Sequence, residues 1–98
     1  MVEVEWAKPA FDTLAGLPHN KAFEIIALTD RLAAFPEMGK GLRAKEDAYR
    51  VLVVGRSFRL VYRYNKSKNS VLMLALQSTP IPAPGLAKLR TIERRDGA

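Results

Sequence analysis

Arginine is the residue type in this sequence best suited to chemistry on an anion. Arg50, Arg59 and Arg63 fall on two segments predicted to be neighbouring strands, and Arg56 lies in the turn between them. A guanidinium group donates two parallel hydrogen bonds to a phosphate or a carboxylate. We therefore predict a site for an RNA backbone or an acidic peptide. The alternative is that these arginines only make an open sheet face soluble, by pairing with Glu46, Asp47 or Glu37.

The predicted strands are Tyr49–Val54 and Phe58–Asn65, and they can be aligned if Arg56 and Ser57 form a two-residue turn. In this register Arg50 lies opposite Arg63. The face predicted to be open and to carry the site comprises Arg50, Leu52, Val54, Arg59, Val61 and Arg63. The face predicted to pack under helices comprises Tyr49, Val51, Val53, Leu60, Tyr62 and Tyr64. A one-residue slip would move arginines onto the buried face, so the pattern favours this register. Arg-Ser lacks the glycine or asparagine of tight hairpins, and Gly55 is the alternative for the strained position.

Composition limits the remaining possibilities. The 98 residues suit a single domain, predicted over 1–98, and a net charge of +6 suits an anionic partner. There is no cysteine, which excludes disulfides and thiolate chemistry, and His19 is the only histidine. We therefore expect no metal site. The sequence also lacks a glycine-rich phosphate-binding loop, so we expect no cofactor. With no signal peptide and no apolar stretch of membrane-spanning length, we expect a cytoplasmic protein without membrane contact.

Hydrophobic spacing before the arginine strands predicts one strand and two helices. Val2–Trp6 alternates apolar and acidic residues, as a half-buried strand does. Pro9 suits the first turn of a short helix, and Asn20 suits the cap of a longer one that Pro36 ends. The predicted core-facing positions of these two helices are Phe11, Leu14, Leu17, Ala22, Ile25, Leu28, Leu32 and Phe35.

The chain after the arginine strands begins with an apolar segment, Ser70–Gln77, predicted to be an interior strand. Residues 78–98 form a proline-rich connector and a basic C-terminal segment. Leu86, Leu89 and Ile92 would line one face of a short helix there, or the tail is loose. The predicted fold is α+β, ordered β-α-α-β-β-β. A two-helix hairpin packs on one face of a mainly antiparallel four-stranded sheet.

Several motifs resemble the RelE/ParE superfamily of bacterial toxins from type II toxin–antitoxin systems. The matching residues are Val4-x-Trp6, Leu32 with Phe35-Pro36-x-x-Gly39, Tyr49-Arg50-Val51, and Gly55-x-x-Phe58-Arg59-Leu60-Val61-Tyr62. The resemblance covers residues 2–77 and implies the same order of elements. It also implies a cognate antitoxin as partner, for which we expect an acidic-rich segment over the arginine face.

The resemblance implies two targets. RelE-like members enter the ribosome and cut messenger RNA, whereas ParE-like members poison DNA gyrase. Arg59 and Arg50 match basic positions of the RelE-like nucleases, so they are the candidate catalytic residues. Arg63 and Arg56 are added as RNA-binding candidates from the strand alignment alone. The chain departs from the nuclease pattern after Gln77, where no acid or base is evident. The alternatives are therefore a gyrase inhibitor without nuclease chemistry, or an attenuated member that mainly binds its antitoxin.

Overall fold

The computed structural model describes residues 2–41, 49–55, 57–79 and 84–96. Its elements, in chain order, are β1 (Glu3–Trp6), α1 (Lys8–Ala15), α2 (His19–Ala34), β2 (Lys40–Gly41), β3 (Tyr49–Val54), β4 (Phe58–Asn65), β5 (Ser70–Ser78) and α3 (Leu86–Asp96). The predicted α+β class is confirmed. So is the predicted C-terminal helix, here α3.

The described strands form one mixed sheet in the order β1-β5-β4-β3-β2. Strand β1 runs parallel to β5, and the other neighbours are antiparallel. The interior position predicted for Ser70–Gln77 is confirmed, because β5 lies between β1 and β4. A fifth strand, β2, was not predicted. It is only two residues long and lies in a stretch whose glycines and charges indicate a loop.

The helical hairpin covers one face of the sheet, as predicted, and this face is called the hairpin face below. Its buried cluster comprises Ala10, Leu14, Ile25, Leu32, Val54, Leu60, Tyr62, Val71, Met73 and Leu76. The prediction that Phe11 and Phe35 face the core is wrong, because Phe11 is 53% exposed and Phe35 is 68% exposed. The predicted cap at Asn20 is also wrong. Helix α2 begins at His19, directly after Pro18, and no side chain caps it.

Helix α3 covers part of the opposite face of the sheet, called the α3 face below. The buried cluster there comprises Ala7, Tyr49, Val61, Leu74, Ala75, Leu89 and Ile92. An irregularity in the pairing of β4 with β5 gives Leu74 no partner between Ala75 and Met73, so Leu74 and Ala75 both join this cluster. Within the described ranges, none of the helices combines the length and the hydrophobicity that crossing a bilayer requires.

The predicted register of β3 on β4 is wrong by one residue. The observed partners are Tyr49 with Arg63, Arg50 with Tyr62, Val51 with Val61, Leu52 with Leu60, Val53 with Arg59, and Val54 with Phe58. Three residues, not two, therefore lie between Val54 and Phe58, the pair next to the turn. Gly55 has φ +60°, a left-handed conformation that glycine adopts without steric cost. The alternative noted for Gly55 is thus confirmed, and every side chain of one strand changes face relative to the other.

Candidate anion-binding site

The single arginine face predicted from the sequence does not form. Arg50 is paired with Tyr62 and shares the hairpin face with it, whereas Arg59 is paired with Val53 on the α3 face. Arg63 is paired with Tyr49, also on the α3 face. Arginines can lie on both faces of the sheet because each side chain is long enough to hold its charged guanidinium away from the apolar centre of the sheet. Arg56 lies outside the described residues.

Arg50 makes structural contacts on the hairpin face. Its Nη1 donates hydrogen bonds to the backbone carbonyl oxygens of Gly39, at 2.8 Å, and Glu37, at 3.2 Å. The Glu37 carboxylate lies 3.9 Å from its Nη2, and the Arg50 side chain is only 17% exposed. Arg50 therefore fixes the chain that follows α2 against the sheet.

Tyr62 holds the same segment from beneath. Its hydroxyl donates a hydrogen bond to the carbonyl oxygen of Pro36 and accepts one from the Gly39 amide, each at 2.9 Å. The ring is fully buried. Burial raises the pKa of the Tyr62 phenol, and the nearby Glu37 carboxylate also raises it, whereas the Gly39 hydrogen bond and Arg50 act in the opposite direction. Tyr62 and Arg50 together set the path of the chain leaving α2.

Arg63 ties α3 to the sheet. Its Nη1 donates to the carboxylate of Glu93 on α3, and its guanidinium lies 6.0 Å from the centre of the Tyr49 ring. The Tyr49 hydroxyl donates to the same carboxylate at 2.7 Å. Burial raises the pKa of Tyr49, and the hydrogen bond and charge of Glu93 raise it further. The positive charge of Arg63 is thus balanced within the fold.

Sequence reasoning missed Glu93. A signal was present, because Glu93 follows Leu89 by four residues and so lies on the same side of a helix. A helix that packs on the sheet through Leu89 and Ile92 brings Glu93 close to the strand residues beneath the helix. Arg63 therefore has a structural partner that the sequence pattern did not indicate, whereas the ion pair of Arg50 with Glu37 agrees with the alternative in which the arginines pair with nearby carboxylates.

Arg59 lies towards the open end of the α3 face. Its Nη2 donates a hydrogen bond to the backbone carbonyl of Thr79 at 3.1 Å, and the residue is half-buried. Its cross-strand neighbours are Val53, which is 58% exposed, and Gln77. The Gln77 Oε1 is buried and has no hydrogen-bond partner among the described residues. Among the described residues, this end of the sheet therefore places the Arg59 guanidinium next to Gln77, an uncharged polar residue.

The arrangement can bind and stabilise negative charge. Arg59 is suited to a phosphate oxygen, or to the negative charge that develops on the phosphoryl oxygens during strand cleavage. Neither cross-strand neighbour of Arg59 carries an acid or a base. In the part of the chain that the structure describes, no cluster of three or more histidine, aspartate or glutamate residues is placed to hold a metal ion.

Comparison with solved structures places this geometry in a known fold. No protein-family model matches the sequence, and no curated protein matches it. The isolated RelE toxin of E. coli is similar at 10% identity and TM-score 0.70, over 97% of this chain and 99% of that chain. The RelBE2 toxin–antitoxin complex of Mycobacterium tuberculosis is similar at 23% identity and TM-score 0.69, over 79% of this chain and 96% of that chain. A YoeB/ParE toxin of Agrobacterium tumefaciens is similar at 17% identity and TM-score 0.64, over 78% and 96%. The chain therefore has the fold of the RelE/ParE toxins.

Proposed function

We propose that this chain is the toxin of a type II toxin–antitoxin system and inhibits translation by ribosome-dependent cleavage of messenger RNA. The observation that carries the proposal is Arg59, a half-buried arginine at the open end of the α3 face of a RelE-like sheet. Similarity to the isolated RelE toxin extends over 97% of the chain, so it includes α3. Translation places this action in the cytoplasm.

The proposed role of Arg59 is to stabilise negative charge during RNA cleavage. When a ribose 2′-oxygen attacks the adjacent phosphorus and the 5′-oxygen leaves, negative charge develops on the non-bridging phosphoryl oxygens. A guanidinium held by the Thr79 carbonyl is already oriented, so it stabilises that charge without reorganising during the reaction. Arg59 is therefore the proposed catalytic residue, and Arg56, three residues earlier in the sequence, is a proposed phosphate contact.

Arg50 and Arg63 have positioning roles in the proposed function, unlike Arg59. The contacts of Arg50 with Glu37 and Gly39 make it a positioning residue that fixes the edge of the sheet next to β3. Arg63 acts through Glu93 on the placement of α3. We propose that neither touches the reacting phosphate, although the motif resemblance had implied a catalytic role for Arg50.

The proposed partner that silences the toxin is a cognate antitoxin with an acidic-rich segment. A net charge of +6 favours such a segment, and two of the similar solved structures are toxin–antitoxin complexes. Because the arginines are divided between two faces, the proposed segment binds the open, Arg59 end of the α3 face rather than a continuous arginine surface.

The test is primer extension on messenger RNA in a cell-free translation reaction with the purified protein. We expect new 5′ ends within the translated reading frame. An otherwise identical message with a disrupted start codon should stay intact, which shows the dependence on the ribosome. A translated message that stays intact with toxin in excess over ribosomes would rule out the nuclease proposal.

A ParE-like gyrase inhibitor is the second candidate. It is favoured by the residues beside Arg59, because Val53 and Gln77 supply neither the acid nor the base that RNA cleavage requires. A DNA supercoiling assay with purified gyrase distinguishes it. Inhibition of supercoiling together with intact messages would replace the first proposal with this one. Expression without growth arrest, and no effect in either assay, would indicate an attenuated protein that mainly binds its antitoxin.

A further inference from the structure

A groove between α1 and α3 is lined by positively charged residues. Its volume is about 560 Å³, and its charged lining residues are Lys8, Asp12, Lys88 and Arg95. Asp12 is paired with Lys8, at 3.0 Å between Oδ2 and Nζ. No other described carboxylate lines the groove, so it carries two positive charges in excess.

The spacing along α3 directs these charges into the groove. Lys88, Thr91 and Arg95 follow one another at three and four residues, which places them along one side of the helix. At a rise of about 1.5 Å per residue, Lys88 and Arg95 are about 10 Å apart along the helix axis. The buried residues Leu89 and Ile92 hold the helix on the sheet, so the row is fixed in place.

A second, smaller groove joins the first and leads towards Arg59. It has a volume of about 170 Å³ and shares Pro9, Lys88 and Ile92 with the larger groove. It ends at Gln77, the cross-strand partner of Arg59. The two grooves therefore form one path from Arg95, past Lys88, to the strand pair that carries Arg59.

Gln77 contributes an uncharged polar group to this path. Its Oε1 is buried and has no hydrogen-bond partner among the described residues. Buried polar atoms are nearly always hydrogen-bonded, so this one is suited to a ligand that donates a hydrogen bond. The 2′-hydroxyl of RNA is such a donor, and DNA lacks it.

We propose that the α1–α3 groove binds the phosphate backbone of a single RNA strand and leads that strand to Arg59. Lys88 and Arg95 contact successive stretches of backbone, and Gln77 accepts a hydrogen bond from a ribose. This inference rests on the proposed function and adds to it a second contact surface, away from the site of cleavage.

The test is fluorescence anisotropy with a labelled single-stranded RNA and with DNA of the same sequence, measured between about 50 and 200 mM salt. We compare the wild type with Lys88→Gln/Arg95→Gln. The matched control is Lys66→Gln/Lys68→Gln, which removes two charges from the turn at the opposite end of β4 from Arg59. Glutamine is a good helix former, and Lys88 and Arg95 are exposed, so the groove variant should fold.

The groove variant should bind RNA about tenfold more weakly than the wild type. Its salt dependence should be shallower by about 1.4, since each phosphate contact on a single strand contributes about 0.7 to the slope. The control variant should match the wild type, and Gln77→Leu should reduce the preference for RNA over DNA. Equal loss in the groove and control variants would overturn the inference. So would wild-type affinity in the groove variant, or binding of poly-glutamate in place of RNA by the wild type.

The failure of this inference can be distinguished from failure of the proposed function. If the groove variant binds RNA normally while the wild type cuts translated messages, the groove inference fails alone. If RNA binding depends on the groove but translated messages stay intact, the inference stands and the nuclease proposal fails.

Discussion

Arg50 and Arg59 lie on opposite faces of the same sheet. Arg50 reaches the backbone of Glu37 and Gly39 on the hairpin face, and Arg59 reaches the carbonyl of Thr79 on the α3 face. The two arginines of the family-like motif therefore cannot act on one phosphate. The contacts of Arg50 stabilise the fold, and Arg59 is the residue that we propose to meet the phosphate.

Replacing Arg59 with glutamine should remove activity and leave the fold intact. The loss should be about 100-fold or more in the rate of message cleavage, the range seen when one charge-stabilising donor is removed from an active site. Rates in cell-free translation and growth on expression measure the effect, with thermal melting as the folding check. Lys66→Gln is the matched control for charge. Cleavage at the wild-type rate by the Arg59 variant would exclude Arg59 from the reaction.

Replacing Arg50 with alanine should lower stability. The change leaves the carbonyls of Glu37 and Gly39 without this donor, at a cost of about 1–3 kcal/mol in the free energy of unfolding. Urea unfolding measures it. Glu37→Gln is the control, because it weakens only the ion pairs of a half-exposed carboxylate, the long one with Arg50 and one with Lys66 at 3.1 Å, and should change stability by about 0–1 kcal/mol. An Arg50→Ala protein of full stability without activity would restore a direct catalytic role for Arg50.

Replacing Gly39 with alanine should be destabilising for steric reasons. The new Cβ would lie 2.7 Å from the Tyr62 hydroxyl oxygen and 2.9 Å from the Val51 carbonyl oxygen, so the hydrogen-bonded segment after α2 must shift. We expect a loss of about 1–3 kcal/mol by urea unfolding. Gly16→Ala is the matched control, since its Cβ would meet nothing closer than 3.7 Å. Equal effects at the two positions would show that Tyr62 does not pack against Gly39 as described.

Replacing Glu93 with alanine should loosen α3. The change removes the acceptor of the Tyr49 hydroxyl and the partner of Arg63, at a cost of about 1–3 kcal/mol. Amide hydrogen exchange should accelerate in 86–96 more than in β4 and β5. Asp12→Asn, which removes a surface pair within α1, is the control and should leave exchange in α3 unchanged. Unaltered exchange in the Glu93 variant would show that the buried Leu89 and Ile92 hold the helix without this carboxylate.

Stability should fall at alkaline pH through Tyr49 and Tyr62. Both phenols have a raised pKa in the folded chain, mainly because they are buried. The unfolded chain loses these protons near pH 10. The contribution of the neutral phenols is therefore complete below about pH 10 and is lost as pH rises through the folded pKa values.

The measurement is urea unfolding between neutral and alkaline pH. Tyr62→Phe should be less stable at neutral pH, because it leaves the Pro36 carbonyl and the Gly39 amide without a partner, yet less sensitive to pH above about 10. A variant with the full alkaline loss of the wild type would show that Tyr62 does not contribute to it.

Most of the fold could be predicted from the sequence, because the apolar spacing is strong. Strands β3 and β4 match the predicted ranges, and α3 forms where Leu89 and Ile92 indicated. The register of the arginine strands could not be obtained in this way. It depends on the conformation of Gly55, and the argument against a slip assumed that one face of the sheet meets solvent. Because α3 covers part of that face, both faces are apolar at their centre, and alternation does not distinguish them.

The site was less predictable than the fold. The motif brought Arg50 and Arg59 to attention together, but their roles depend on which backbone carbonyls each reaches across the structure. Those carbonyls belong to residues 11 and 20 positions away, and residue type alone does not reveal such contacts. The prediction that Phe35 faces the core failed for a related reason. Phe35 continues the apolar spacing of α2 beyond the last turn that the sheet covers, and its side chain is exposed.

The most direct test of the central claim is a comparison of wild type with Arg59→Gln in one primer-extension experiment on translated and untranslated forms of the same message. We predict cleavage of the translated message by the wild type, none by the Arg59 variant at the same folded concentration, and none of the untranslated message. Equal cleavage by the two proteins, or an intact translated message with wild-type protein in excess over ribosomes, would overturn the proposal that Arg59 acts in ribosome-dependent cleavage.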